Sequence, residues 1–164
     1  MNSINAKMDK SDYEIYDDFM NIEIDGYYLD EKLDELYPNN LYKGMIPTLL
    51  FAMEIKEERD VVWNRIKPAT NSTSICPILM CPDDCDFSCT IIVVEIENKK
   101  DHTVWRKLGL NKIVPREAIE IGTEVEWFEN IGPFQFSFND YKKFLLDFKK
   151  AYTIDESKYE VSDR

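Results

Sequence analysis

The chain holds one histidine, His102, and its five glycines (Gly26, Gly44, Gly109, Gly122, Gly132) stand apart from one another. His102 sits beside Lys100 and Asp101 in a polar stretch and reads as an exposed turn residue, so Ser-His-Asp and Cys-His catalysis have nothing to build on. Isolated glycines exclude both the G-x-G-x-x-G fingerprint and the P-loop, so no nucleotide site is indicated. Basic residues are also short: 20 Lys and Arg face 32 Asp and Glu, a net charge of −12. Such a surface repels phosphate backbones and anionic lipid, which disfavours direct nucleic-acid binding. No apolar run approaches the roughly 20 residues that span a bilayer. The opening residues Met1 to Lys7 lack the apolar core of a secretory signal, so the expected location is the cytoplasm, with no membrane partner.

What is present is a globular composition. At 164 residues, 44% hydrophobic and 13% aromatic, the chain is long enough for one domain with its own core. Aliphatic and aromatic residues recur from about residue 12 to residue 154, the expected domain. Residues 1–11 and 155–164 are polar enough to be expected loose. The carboxylates are unevenly spread. Between Ser11 and Asn40 lie Asp12, Glu14, Asp17, Asp18, Glu23, Asp25, Asp30, Glu31, Asp34 and Glu35, against the single base Lys32. A basic partner is what this distribution would steer in; the plainer reading is that it keeps the protein soluble.

Periodicity supplies the elements. Phe19 to Ile24 alternates as a strand and Asp25-Gly26 follows as a turn. Leu29, Leu33, Leu36 and Tyr37 share a helical face that ends at Pro38. Thr48 to Met53 reads as strand or buried helix. Glu57 to Ile66 reads as helix with Val62, Trp63 and Ile66 inward, and residues 69–75 as loop. Pro77 to Met80 and Thr90 to Ile96 are strands, the second apolar enough for a central position, and should pair antiparallel. Thr103 to Leu108 is a further strand, residues 109–122 a loop, and Thr123 to Phe128 a clean alternating strand. Phe134, Phe136 and Phe138 alternate again. Asn139 then caps a helix bearing Tyr141, Phe144, Leu145, Phe148 and Tyr152, with Lys149 and Lys150 near its end. Strands bunched between helices, without βαβ alternation, predict an α+β fold with a mostly antiparallel central sheet.

Four cysteines, Cys76, Cys81, Cys85 and Cys89, fall within fourteen residues. Soft sulfur ligands suit Zn²⁺, but the Cys-x2-Cys knuckle is missing and Cys76 and Cys81 would leave a strand on opposite faces. Iron–sulfur spacing does not match either. The expectation is therefore no cofactor, with reduced thiols acting as small apolar residues. Paired carboxylates such as Glu124 and Glu126 are read as chance in so acidic a chain. The aromatics Tyr27, Tyr28, Trp105, Trp127 and Phe134, next to acidic positions, are core or interface anchors.

Leu29-Asp30-Glu31-Lys32-Leu33, Val61 to Ile66, Pro77 to Phe87 and Glu124 to Phe128 together resemble small bacterial immunity proteins of contact-dependent growth inhibition and other polymorphic toxin systems. The likeness spans about Phe19 to Tyr152, and Met80 to Phe87 is its most distinctive piece. The resemblance implies a non-catalytic, monomeric toxin inhibitor that binds a cognate toxin domain and blocks its active site or substrate cleft. Charge favours a basic, nuclease-type toxin. The expected contact residues are Asp83, Asp84, Asp86, Glu124, Glu126, Glu129 and Trp127, or else the N-terminal acidic run. The alternatives are a protein-interaction module of another kind, or a small metal-binding protein using Cys76 to Cys89.

Overall fold

The computed structural model describes residues 1–10 and 18–162, and over these the chain is α+β, with two antiparallel sheets and helices packed on them. The smaller sheet comes first. Strands β1 (Ile4–Asp9), β2 (Phe19–Ile24) and β3 (Tyr27–Tyr28) lie in the order β1-β2-β3. The two-residue turn between β2 and β3 has positive φ at both positions, 51° at Asp25 and 88° at Gly26, the conformation whose twist matches a hairpin and which Asp and Gly tolerate best.

The expectation that residues 1–11 are loose is corrected here for Asn2 to Asp9; Ser11 lies outside the described residues. Ile4 pairs with Ile24, Ala6 with Ile22 and Met8 with Met20, and Ile4 is buried. The Asp25 carboxylate accepts hydrogen bonds from the Ser3 amide (2.8 Å) and Asn2 Nδ2 (2.7 Å). Asn2 in turn exchanges bonds with Gln135. A strand with one solvated face looks polar on average, which is why composition alone hid it.

Helix α1 (Leu29–Leu36) buries Leu29 and Leu33. The main sheet has the order β4 (Ile46–Pro47), β5 (Ser72–Met80), β6 (Ile91–Asn98), β7 (His102–Asn111), β8 (Val125–Trp127), and β9 (Phe134–Ser137) also pairs with β7. Ile91, Ile92, Val93, Val94 and Ile96 are all fully buried, as a central strand covered on both faces demands. Helix α2 (Lys56–Arg65) packs on β5, and helix α3 (Phe138–Ser162) on β1, β7 and β9. One contiguous core joins both sheets, from Ile4 and Ile22 through Trp105 to Phe148.

Other boundaries moved for local reasons. Thr48 to Met53 forms turns, not a strand or helix. A bulge between Pro77 and Leu79 interrupts the β5–β6 ladder, and Thr48 takes up the carbonyls there, donating its amide to Ile78 O (3.0 Å) and its hydroxyl to Pro77 O (2.8 Å). Ser72 to Ile75 belongs to β5 rather than a loop, paired with Glu95 to Asn98. Helix α3 begins at Phe138; the capping side chain is Ser137, whose Oγ accepts the Asp140 amide (3.1 Å), and not Asn139. The helix continues to Ser162, so residues 155–162 are helical rather than loose, and Lys149 and Lys150 lie in mid-helix. None of its described helices is long and apolar enough to cross a membrane.

Candidate interaction face

The acidic β5–β6 connection is anchored rather than floppy. Phe87 is buried, and its amide donates to Glu58 Oε1 of α2 at 2.9 Å. Burial pushes the Glu58 carboxyl above the usual carboxylate range, and the Phe87 amide partly offsets that shift. Cys85, at φ 51°, donates its amide to Cys81 O (3.0 Å) and accepts the Glu54 amide (3.1 Å). Asp86 Oδ1 accepts from both the amide (2.9 Å) and the hydroxyl (2.5 Å) of Ser88. Asp83 and Asp84 are left exposed at the tip, with Asp86 half-buried behind them.

A second group of residues is set by the close approach of β7 and β8. At Gly109 a Cβ would fall 2.6 Å from Val125 Cγ1 and 2.7 Å from the Glu126 carbonyl oxygen. Only glycine lets β8 lie this near. Trp127 is thereby held half-buried, with the Lys107 ammonium 4.4 Å from its ring centre, inside the range of a cation–π contact. Next to it Phe128 packs against Tyr37 (centroids 4.7 Å apart) and Tyr42 (5.7 Å). The Tyr37 hydroxyl accepts the Asn130 amide at 3.2 Å, tying the end of α1 to the segment after β8.

These residues enclose a cleft of about 480 Å³ walled by Tyr37, Tyr42, Glu126, Trp127 and Glu129. A second hollow of about 390 Å³ adjoins it, walled by Ser88, Cys89, Thr90 and Val114, and the two share Leu110 and Lys112. Lys112 Nζ lies 3.6 Å from Glu126. Two large aliphatic side chains stand out at the margins: Leu41, 83% exposed with φ 58°, between cleft residues Asn40 and Tyr42, and Val114, 71% exposed.

Of the residues singled out from sequence, Glu126, Glu129 and Trp127 line the cleft. Glu124 is exposed immediately ahead of β8. The loop carrying Asp83, Asp84 and Asp86 runs into Ser88 and Cys89 of the second hollow. Glu126 and Glu129 thus border the joined hollows directly, while Asp83, Asp84 and Asp86 connect to them only through the chain that continues into Ser88 and Cys89. Comparison with protein-family models, curated proteins and solved structures finds no match. The site therefore stands on its own geometry.

Among the described residues of the N-terminal acidic run, Asp18, Glu31 and Glu35 are exposed. Asp12, Glu14 and Asp17 lie outside the described residues, while Glu23 pairs with Lys7 (3.1 Å) and Asp25 is spent on its turn. Asp30 is buried; burial raises its pKa, and bonds from the Gly44 amide (2.9 Å) and Asn21 Nδ2 (3.2 Å) partly offset the rise. Among the aromatic candidates Trp105 and Phe134 belong to the core, and Tyr27 and Tyr28 sit in the small sheet. Periodicity put Tyr37 on the inward face of α1 rather than in the cleft and did not single out Leu41, Tyr42 or Lys112. A large aliphatic residue in the turn-rich segment after Pro38 was the available signal.

The cysteines do not converge. Cys76 is buried beside Val62 O, its thiol pushed far up by desolvation, and Cys85 Sγ lies 3.3 Å from Pro82 O. Cys81 and Cys89 meet each other, and Cys81 Sγ also lies 3.6 Å from Thr90 O. Among the described residues no three His, Cys, Asp or Glu side chains are grouped to hold a metal ion. His102 is engaged by Asp101 at 2.7 Å, at the start of β7 and hence the far end of that strand from Leu110.

Proposed function

We propose that this chain is an immunity-type inhibitor that binds a basic, nuclease-type toxin domain and occupies its substrate cleft. The observation that carries the reading is the cleft walled by Tyr37, Tyr42 and Trp127 and bordered by Glu126 and Glu129, which shares Leu110 and Lys112 with the hollow at Ser88 and Cys89. Half-buried aromatic anchors in a concave patch are the usual carriers of binding energy. Carboxylates around them are complementary to a surface built for phosphate, and the net charge of −12 raises the encounter rate with it.

The test is inhibition of the toxin domain encoded next to this chain's gene. Wild-type protein should abolish its nuclease activity at one equivalent. Trp127→Ala should weaken inhibition by roughly 30-fold to 1000-fold, corresponding to about 2–4 kcal/mol for an interface anchor. Glu126→Gln with Glu129→Gln should instead slow association at low salt and leave dissociation nearly unchanged. An unaffected nuclease, or a Trp127→Ala variant as potent as wild type, would sink the proposal.

A further inference from the structure

The neck of the acidic loop is closed by two thiols. Cys81 follows the last residue of β5 and Cys89 lies two residues before β6, just beyond the terminal ladder pair Met80 and Ile91. Their sulfurs are 2.6 Å apart, within roughly half an ångström of the 2.05 Å covalent distance. Both side chains are half-exposed, so a small reagent can reach them. The paired strands on either side already hold the two residues together, and closing the bond costs little further ordering of the chain. The remaining cysteines are differently placed: Cys76 is enclosed in the core, and Cys85 sits on the loop with its sulfur turned to Pro82 O.

We propose that Cys81 and Cys89 are a reversible thiol–disulfide site that exchanges with a low-molecular-weight disulfide such as oxidised glutathione. One protein thiolate attacks a sulfur of the small disulfide, forming a mixed disulfide and expelling one small thiolate. The second protein thiolate then attacks the protein sulfur of that bond, forming Cys81–Cys89 and expelling the other small thiolate. The protein pair loses two electrons and two protons, and the small disulfide gains both to become two thiols. Burial, with the neighbouring Cys89 sulfur adding to it, pushes the Cys81 thiol up to about 11, so exchange accelerates as pH rises towards that value. Closure pins the base of the Asp83–Asp84 loop and ties down Cys89, a wall residue of the second hollow. The pair thus places the loop that carries Asp83 and Asp84, together with the hollow at Cys89, under redox control.

The full-length native chain would be equilibrated with oxidised glutathione in excess, acid-quenched, and assayed for free thiols, intact mass and linked peptides. Cleavage after Met80 and before Asp83 and Asp86 separates all four cysteines. The expected result is a fall from four free thiols to two, loss of two hydrogens, a Cys81 peptide joined to a Cys89 peptide, and full reversal by dithiothreitol. Cys81→Ser and Cys89→Ser should each lose the internal bond and retain a single glutathione on the remaining thiol, while Cys85→Ser should still form it. Four thiols persisting in the wild type, glutathione on both sulfurs without an internal bond, or a bond that uses Cys85 would each overturn the proposal.

Discussion

Replacing Tyr141 by Phe deletes one oxygen that serves two buried groups. The hydroxyl donates to Ile66 O at 2.6 Å and accepts the indole N–H of Trp105 at 3.3 Å. Ile66 is the C-cap of α2, so its carbonyl lies past the reach of the helix's own amides and needs a partner from elsewhere. Burial pushes the tyrosine hydroxyl far above its ordinary value, and it stays a donor at any working pH. In Tyr141→Phe both groups are stranded in a site where Tyr141 is 2% and Trp105 0% exposed. An orphaned buried polar group costs about 1–3 kcal/mol. Placing the long indole bond at the low end and the short carbonyl bond in the middle gives about 3 kcal/mol in all. With a urea dependence of about 2 kcal/mol per molar, the unfolding midpoint should fall by about 1.5 M. A double-mutant cycle apportions the loss: in a Trp105→Phe background the indole donor is already gone, and the same tyrosine change should cost about 1 kcal/mol less. A midpoint shift under about 0.3 M, or strict additivity in the cycle, would refute the two-bond account.

Three further outcomes are expected. Gly109→Ala should destabilise by about 2 kcal/mol, because the methyl meets Val125 Cγ1 and Glu126 O; thermal unfolding measures the loss, and a shift in tryptophan fluorescence should report the displacement of Trp127. Deletion of Met1–Asp9 should remove at least about 4 kcal/mol, since it discards buried Ile4 and uncovers Ile22 and Ile24; an unchanged denaturation midpoint would mean that β1 is dispensable. Glu58 has its pKa raised from 4.5 by burial, so the folded state holds that proton more tightly than the unfolded chain. Its destabilising effect is absent below pH 4.5 and grows as pH rises through the folded value. Glu58→Gln keeps an acceptor for the Phe87 amide and should therefore gain stability relative to wild type between pH 4 and pH 7, measured by denaturation at both; a relative loss over that interval would contradict the assignment.

Elements whose own residues carry the signal are legible in the amino-acid order. The β-branched run Ile91 to Val94 can only be a central strand, Leu29 and Leu33 mark a helical stripe, and Asp25-Gly26 is a turn by backbone preference. Tyr141, Phe144 and Phe148 likewise mark the buried side of α3. Elements that depend on a distant partner are not legible in this way. Strand β1 is polar on its open side and becomes a strand because β2 pairs with it. Thr48 to Met53 is apolar enough for either regular structure, yet it is shaped by the bulge at Pro77 whose carbonyl it must satisfy. Ser137 displaces Asn139 as the α3 cap because β9 delivers it to that position.

By itself, then, the amino-acid order determined the α+β class, the central strands, the inward faces of the helices and the excess of negative charge, all of which depend on local spacing and composition. Tertiary structure alone decided which carboxylates share a surface. Asp25 and Asp30 were drawn into a turn and a buried hydrogen-bond network, whereas Glu126 and Trp127 came to line a cleft that shares Leu110 with the hollow at Ser88 and Cys89, because β7 brings Leu110 between Ile92 of β6 and Glu126 of β8. The cause is physical: strand pairing joins residues far apart in the chain, and the missing side chain at Gly109 lets Trp127, a wall of the cleft, pack against β7.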